Sequence, residues 1–328
     1  MEKTDIRSMT LNELEVFVVE ALGDKKFRAK QIYNWMHVKL VQSFDEMTNL
    51  SKDLRERLRS EATLCPVTMA DRLISEIDGT RKYLFRMEDG SIIESVLMKY
   101  KHGNSVCISS QVGCRMGCRF CASTLDGLKR HLTAAEMLGQ VYAIQRESGE
   151  RVSNIVIMGT GEPLDNYDGA LRFIRLISAE TGLNISQRNL TVSTCGIVPG
   201  IRKFAEEGLQ VTLALSLHAP NDEVRNQIMK INKRYKIEEV IEAVKEYIKV
   251  TNRRITFEYI LLKGINDTPK LANQLADLVK DINCYVNLIP YNEVSTKPFK
   301  KTSSEDAQRF FEILHQRGIN ATLRMEHG

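Results

Sequence analysis

No run of apolar residues in this 328-residue chain reaches the roughly 18 that a membrane-spanning helix needs. The opening Met1-Glu2-Lys3-Thr4-Asp5-Ile6-Arg7 has no apolar core of the signal-peptide kind. Without such a leader, seven cysteines in a chain of this size do not read as a disulfide framework. Low-complexity tracts and solenoid repeats are missing too. These absences set aside the membrane, secreted-scaffold and repeat classes, and the expected location is the reducing cytoplasm. Charge of one sign is in little excess: a net charge of +4 permits a nucleic-acid partner without demanding one. A hydrophobic content of 43% supports a full core, and the length suggests one large domain with a small one.

What the chain does have is a concentration of thiols. Cys114-Arg115-Met116-Gly117-Cys118-Arg119-Phe120-Cys121 sets three cysteines at C-x3-C-x2-C spacing, just after a strand-like run. An iron–sulfur cube normally takes four cysteine thiolates. Three leave one iron with an open position, where a small molecule can bind and react. A structural zinc takes four N or S ligands. His131, the nearest spare ligand, has no partner at finger spacing. With Phe120 before the last cysteine, the stretch resembles the cluster motif of the radical S-adenosylmethionine (SAM) enzymes. That resemblance implies a [4Fe-4S] cluster on Cys114, Cys118 and Cys121, with SAM chelated at the open iron. An electron from the cluster would then break a carbon–sulfur bond and release a 5′-deoxyadenosyl radical.

Hydrophobic periodicity organises the rest. Leu11, Leu14, Phe17, Val18 and Leu22 recur at helical spacing, Phe27–Trp35 opens a second helix, and Leu50–Leu64 gives a third. Lys25, Lys26, Arg28 and Lys30 crowd one corner of this module, either as a solvated face or as an RNA-backbone contact. Around Asp89-Gly90 two alternating runs, Lys82–Met87 and Ser91–Met98, predict a β-hairpin. From residue 104 strands and helices alternate, with strands at Ser105–Ser109, Asn154–Met158, Asn189–Ser193, Val211–Leu217, Ile255–Leu261 and Tyr285–Ile289. A last strand-like run is Ala321–Met325, and Thr133-Ala134-Ala135-Glu136 is a capping box opening a helix. Apolar strands in repeated βα units argue an α/β fold with a parallel sheet. Periodicity alone does not separate a partial (β/α) barrel of six units from a flat doubly wound sheet.

In either architecture chemistry gathers where strands end. The cysteine loop follows the first strand, Gly159-Thr160-Gly161-Glu162-Pro163 the second, and Tyr291-Asn292 the sixth. Ser193-Thr194-Cys195-Gly196 ends the third and Ser216-Leu217-His218 the fourth. Gly159 and Gly161 permit close backbone approach or positive φ, although a plain βα turn needs the same residues. Glu162 could accept hydrogen bonds from a ligand's ammonium or ribose hydroxyls. Ser193 and Ser216 are short donors and acceptors or simple caps, and His218 is a site residue or a core histidine. The Asn292 amide both donates and accepts.

Cys107-Ile108-Ser109-Ser110-Gln111-Val112-Gly113-Cys114, Met158–Leu164, Val192-Ser193-Thr194, Leu215–His218 and Val286–Asn292 together resemble the RlmN/Cfr family. Those are radical SAM methyltransferases acting on adenosine in 23S ribosomal RNA. Gly161-Glu162-Pro163-Leu164 and Gln111-Val112-Gly113 are closer to the RlmN branch, which methylates C2 and also acts on certain transfer RNAs. The resemblance covers residues 10–327. It implies a partial (β/α)6 radical-SAM barrel at 104–328, a helical accessory RNA-binding domain at 1–75 and a β-hairpin extension at 76–103. It places Gly161, Glu162, Ser193, Ser216, Leu217, His218 and Asn292 around SAM. Glu94 is implied as a catalytic proton acceptor, and Cys107 as the thiol that resolves a protein–RNA intermediate by disulfide formation. C2 of adenine is electron-poor, so a polar methyl transfer cannot reach it. The family first moves a methyl onto a protein cysteine, using two SAM per turnover, and cofactor radical chemistry does the rest. A low-potential donor such as flavodoxin and a monomeric chain are also implied.

The family's methyl-carrying cysteine lies just past the last strand. Here the chain reaches only Arg324-Met325-Glu326-His327-Gly328, and no cysteine follows Cys284. Cys195 is the conceivable substitute carrier, and Cys284 reads as buried and inert. Three other outcomes stand beside C2 methylation. They are C8 methylation of the Cfr kind, an RNA-binding iron–sulfur protein that does not complete methyl transfer, and a radical enzyme of a small metabolite.

Overall fold

The computed structural model describes residues 3–101 and 103–324. Met325–Gly328, where a methyl-carrying segment is sought, lie outside the described residues. From the N-terminus, β1 (Thr4–Asp5) leads to helices α1 (Leu11–Glu20), α2 (Phe27–His37) and α3 (Lys52–Glu61). Next come β2 (Ala62–Thr63), β3 (Thr68–Ile74), β4 (Arg81–Arg86), β5 (Ile92–Tyr100) and β6 (Gly103–Cys107). Short strands β7 (Gln111–Gly113) and β8 (Leu128–His131) flank the cysteine loop. Strand and helix then alternate through α4 (Ala134–Ser148), β9 (Val152–Ile157), α5 (Tyr167–Ile177), β10 (Leu190–Thr194), α6 (Val198–Ala205) and β11 (Thr212–Ser216). The remainder is α7 (Asp222–Ile228), α8 (Ile237–Thr251), β12 (Ile255–Leu261), α9 (Pro269–Val279), β13 (Cys284–Pro290), α10 (Ser304–Gln316) and β14 (Ala321–Leu323). The strands read from the sequence beyond residue 104 are all present, their ends falling within two residues of the expected ones wherever these are described.

Two compact units divide the chain. The first comprises Met1–Val112, His131–Thr160 and Asn166–Leu190. Its helical module closes around Leu14, Val18, Ile32, Met36, Leu54 and Leu58, the apolar stripes of α1, α2 and α3. A capping box at Thr10 and a Ser51 cap start two of these helices. Its sheet runs β3-β4-β5-β6-β9: the first four strands are antiparallel neighbours, and β9 lies parallel to β6. Gly90 takes φ 81° in the turn joining β4 to β5, which is the hairpin expected at Asp89-Gly90. Strand β3 is absent from the sequence reading because every residue of it is exposed. A two-sided exposed edge strand has no apolar alternation to read. Helix α4 begins at the expected Thr133–Glu136 capping box and ends on Gly149 at φ 66°.

The second unit comprises Gly113–Arg130, Gly161–Asp165 and Thr191–Gly328. Strands β10-β11-β12-β13-β14 are parallel in that order, each reached through a helix. Leu213, Ala214, Leu215, Ile255, Phe257, Tyr259, Val286 and Leu288 have no exposed surface, as strands covered on both faces require. Among the described residues no helix is long and apolar enough to cross a membrane.

Candidate functional site

The cysteine loop of the second unit is folded by its own backbone and by the segment after α7. The Cys121 amide donates to the Cys118 carbonyl at 3.2 Å. Thr124 Oγ1 donates to the carbonyls of Cys118 (3.1 Å) and Cys121 (3.0 Å). The Arg119 amide donates to Ile228 O at 2.8 Å and its guanidinium to Gln227 O at 3.0 Å, while Cys118 bridges Met229. Met116, Cys118 and Phe120 pack on an apolar patch of Cys195, Ile228, Met229, Leu262, Tyr291 and Phe299. Burial pushes the Cys114 thiol up to about 11 and Cys118 up to about 12, with nearby Glu162 and the neighbouring cysteines adding to it. Held this way, the thiols ionise when a bound cation supplies compensating charge. Three soft donors from one loop are a set that suits an iron–sulfur cube with one open iron. Among the described residues no three His, Cys, Asp or Glu side chains converge as they would on a single ion. A [4Fe-4S] cube has irons at alternate corners, so its three thiolates bind three different metal atoms rather than one.

Several rim residues meet around that loop. His218 sits at φ 58°, is 6% exposed, and its ring stands edge-on to Phe120 with centroids 5.1 Å apart. Its Nδ1 accepts the Ile260 N–H at 3.0 Å, so the other ring nitrogen carries the proton of the neutral form. Burial, with the Arg225 charge, lowers its pKa to about 3. Tyr291, beside the exposed Asn292, donates its hydroxyl to Phe120 O at 3.3 Å. Glu162, 3% exposed, accepts the backbone N–H of Cys195 at 2.8 Å and of Leu164 at 3.1 Å. Burial nonetheless raises its pKa. Gly161 takes φ 118°, a conformation glycine adopts without strain. Ser193 and Ser216 are half-buried at the ends of β10 and β11, and Leu217 is fully buried.

Arg225 was not singled out from the sequence, yet it ties these segments together. It has no exposed surface. Its guanidinium donates to Leu217 O (3.0 Å), Cys195 O (2.7 Å), Ser216 O (3.3 Å) and Asn232 Oδ1 (3.1 Å). Its only early signal is an arginine between apolar Val224 and Ile228 on one short helix. Cys195 is packed beneath this clamp. Burial pushes its thiol well above the ordinary range, and Glu162 and Cys118 push it further. A nucleophilic carrier needs the opposite environment. Cys284 is buried, as expected, with its thiol held near Val279 O at 3.8 Å.

Glu94 and Cys107 belong to the first unit. Strand β5 pairs Val96 with Cys107 of β6, and β4 pairs Leu84 with Glu94. Cross-strand partners share a face and alternate residues do too. Glu94, Val96 and Cys107 therefore lie on one face of the sheet. Ile93, Ser95 and Leu97 fill the other, where Ser95 Oγ donates to Gln140 of α4 at 2.8 Å. Lys82 Nζ lies 2.6 Å from the Glu94 carboxylate. Ser109, also unflagged by sequence, links the strand ends. Its hydroxyl donates to Glu94 O (2.7 Å) and accepts the Thr160 N–H (3.0 Å). A Cβ on Gly159 would meet Ile108 O at 2.8 Å, so that glycine permits the close approach. None of the seven cysteines is in a disulfide, so the disulfide implied at Cys107 is not a feature of this structure.

Residues 108–275 match the radical SAM superfamily, and residues 4–64 match the ribosomal RNA large subunit methyltransferase N-terminal domain. A protein of Lachnoclostridium phytofermentans named probable dual-specificity RNA methyltransferase RlmN is 58% identical over 327 residues, spanning 100% of this chain and 92% of its own. One from Alkaliphilus oremlandii with the same name is 52% identical, across 100% of this chain and 95% of that one. The crystal structure of a radical SAM methyltransferase from Sphaerobacter thermophilus superposes with a TM-score of 0.95 at 45% identity, over 99% of this chain and 96% of that one. Identity of this order, sustained end to end on a shared fold, means that the chain belongs to the RlmN family: it is a radical SAM RNA methyltransferase whose cofactors are a [4Fe-4S] cluster and S-adenosylmethionine.

Proposed function

We propose that the chain methylates C2 of an adenosine in 23S ribosomal RNA and in certain transfer RNAs. Its RlmN-named relatives support the dual substrate. The observation that carries the chemistry is the shared sheet face of Cys107 and Glu94. A thiol and a carboxylate set diagonally on one sheet face provide a resolving nucleophile and a proton acceptor for a ring carbon that must lose hydrogen. When bound, the cluster and SAM supply the methyl group and the radical that an electron-poor carbon requires. In this reading Cys114, Cys118 and Cys121 hold the cluster. Gly161, Glu162, Ser193, Ser216, Leu217, His218 and Asn292 line the SAM site, with Arg225 and Tyr291 fixing the backbone that presents them. In this reading the helical module carrying α1–α3 docks RNA, the β4–β5 hairpin presents Glu94, and the parallel βα units that follow carry the cofactors. A flavodoxin-type donor, a cytoplasmic location and a monomeric state complete the reading.

The test is anaerobic incubation of the cluster-reconstituted chain with SAM, reductant and a ribosomal RNA fragment or transfer RNA, read by nucleoside mass spectrometry. The expected product is 2-methyladenosine, and 8-methyladenosine would overturn the C2 assignment. Glu94→Gln is expected to slow product release by about 10²–10⁴-fold, the range for loss of a general base.

A further inference from the structure

We propose that the segment Lys230–Tyr235, laid against the cysteine loop, is the surface that grips backbone phosphates of the RNA next to the reacting adenosine. The inference rests on RNA as substrate and locates its contact. In Ile228-Met229-Lys230-Ile231-Asn232-Lys233-Arg234-Tyr235, residues Ile228 and Met229 belong to the apolar patch beneath the cysteine loop and Ile231 packs on it. Lys230, Lys233 and Arg234 face solvent. The split sorts cations to one side of a strip whose other side is anchored. Asn232, fully buried, donates to Asp222 (2.8 Å) and Asn226 (3.0 Å) and accepts from Arg225. The strip is therefore ordered before any ligand arrives. The Lys230 stem crosses Gly117 of the cluster motif so closely that a Cβ there would meet its Cδ at 2.8 Å.

The cations border a cleft of about 770 Å³ lined by Arg115, Asp165, Ile197, Lys230, Lys233 and Tyr235. Its one acid, Asp165, is held by Arg115 through contacts of 3.0 and 2.5 Å, so that pair cancels. Among the described residues Lys230, Lys233 and Arg234 form no ion pair with a carboxylate. Uncompensated cations at a preordered cleft suit a polyanion. Arg234 lies over the Tyr235 ring at 5.3 Å, and such a stacked pair also suits an unstacked base. In the basic corner of the helical module two of the four cations are paired, Lys26 with Glu15 at 2.9 Å and Arg28 with Asp24 at 4.0 Å, whereas Lys25 and Lys30 form no ion pair among the described residues.

The test measures RNA affinity of the cluster-reconstituted chain by fluorescence anisotropy from 50 to 200 mM salt, with a labelled transfer RNA as probe. The variant is Lys230→Ala/Lys233→Ala/Arg234→Ala. A control, Lys245→Ala/Lys249→Ala/Lys280→Ala, removes equal charge elsewhere on the second unit. Three lost phosphate contacts, at a slope of about 0.7–0.9 each, should make the strip variant's affinity about 20- to 40-fold less salt-sensitive over this range than wild type. The control should follow wild type. Equal slopes for strip variant and wild type would overturn the proposal, as would an equal change in the control. A wild-type chain that bound no RNA would overturn the RNA reading itself, a result distinct from either. Cluster absorbance and SAM affinity, measured on each protein, separate a lost contact from a lost fold.

Discussion

Replacing Arg225 by methionine is expected to remove about 3–5 kcal/mol of stability, because several buried acceptors lose a charged donor at once. The magnitude follows from what the guanidinium leaves behind. Three main-chain carbonyls, of Cys195, Ser216 and Leu217, and the Asn232 side chain lose donors in a place water does not reach. Each unsatisfied acceptor costs about 1–3 kcal/mol, part of which methionine recovers because a desolvated cation is no longer buried. Lysine should fare no better, although it keeps the charge. Its ammonium donates from a single point, whereas the planar fork reaches the ends of β10 and β11 and the strip after α7 at once. Urea unfolding followed by circular dichroism reads the effect. With a slope of about 3 kcal/mol per molar, the midpoint should fall by about 1–1.7 M. SAM affinity of the reconstituted variant should fall with it, because Ser216, Leu217 and His218 are set by the same clamp. A midpoint within about 0.2 M of wild type, with SAM affinity kept, would refute the clamp.

Two further outcomes test the site at other points. Cys114→Ser, Cys118→Ser and Cys121→Ser should each lose most of the about four irons per chain after reconstitution. Cys195→Ser, although packed beside the same loop, should keep them, and iron retained by Cys118→Ser would refute the ligand set. Glu258, 5% exposed on β12 and bonded to Asn287 at 2.8 Å, is raised by burial from 4.5 to about 7. Between those values the folded chain holds a proton the unfolded chain has released. Its contribution to stability therefore falls as pH rises through this window, by about 3 kcal/mol in all. Glu258→Gln should flatten that dependence and be the more stable protein at pH 8, while matching wild type near pH 4.5. Urea midpoints at both pH values decide it, and parallel curves would refute the assignment.

Local signals carried much of the fold. The capping box at Thr133, the Asp89-Gly90 turn and the apolar strands of the second unit are written in neighbouring residues, and each appears where those residues put it. Short elements without such signals did not show. β3 is exposed along its length, and α7 is a seven-residue helix whose apolar side holds an arginine. The thiol-rich loop was legible from spacing alone, because three cysteines within eight residues need no tertiary information. The shared face of Glu94 and Cys107 needed the register of three strands, which no single segment encodes.

Arg225 shows why the supporting residues were illegible. Arginine is rarely buried, so in a sequence it reads as surface. What makes it internal is a set of carbonyls contributed by residues 195, 216 and 217, which become neighbours only after β10 and β11 pair. Asn232 completes the ring and in doing so fixes the strip that carries Lys230, Lys233 and Arg234. The same side chain thus orders the ends of β10 and β11 on one side and the cationic cleft on the other. A change at Arg225 should therefore weaken SAM and RNA binding together, whereas a change in the strip's cations should weaken RNA alone. Measuring both affinities on both sets of variants distinguishes a clamp from a contact, since a residue touching only one ligand cannot produce the joint loss.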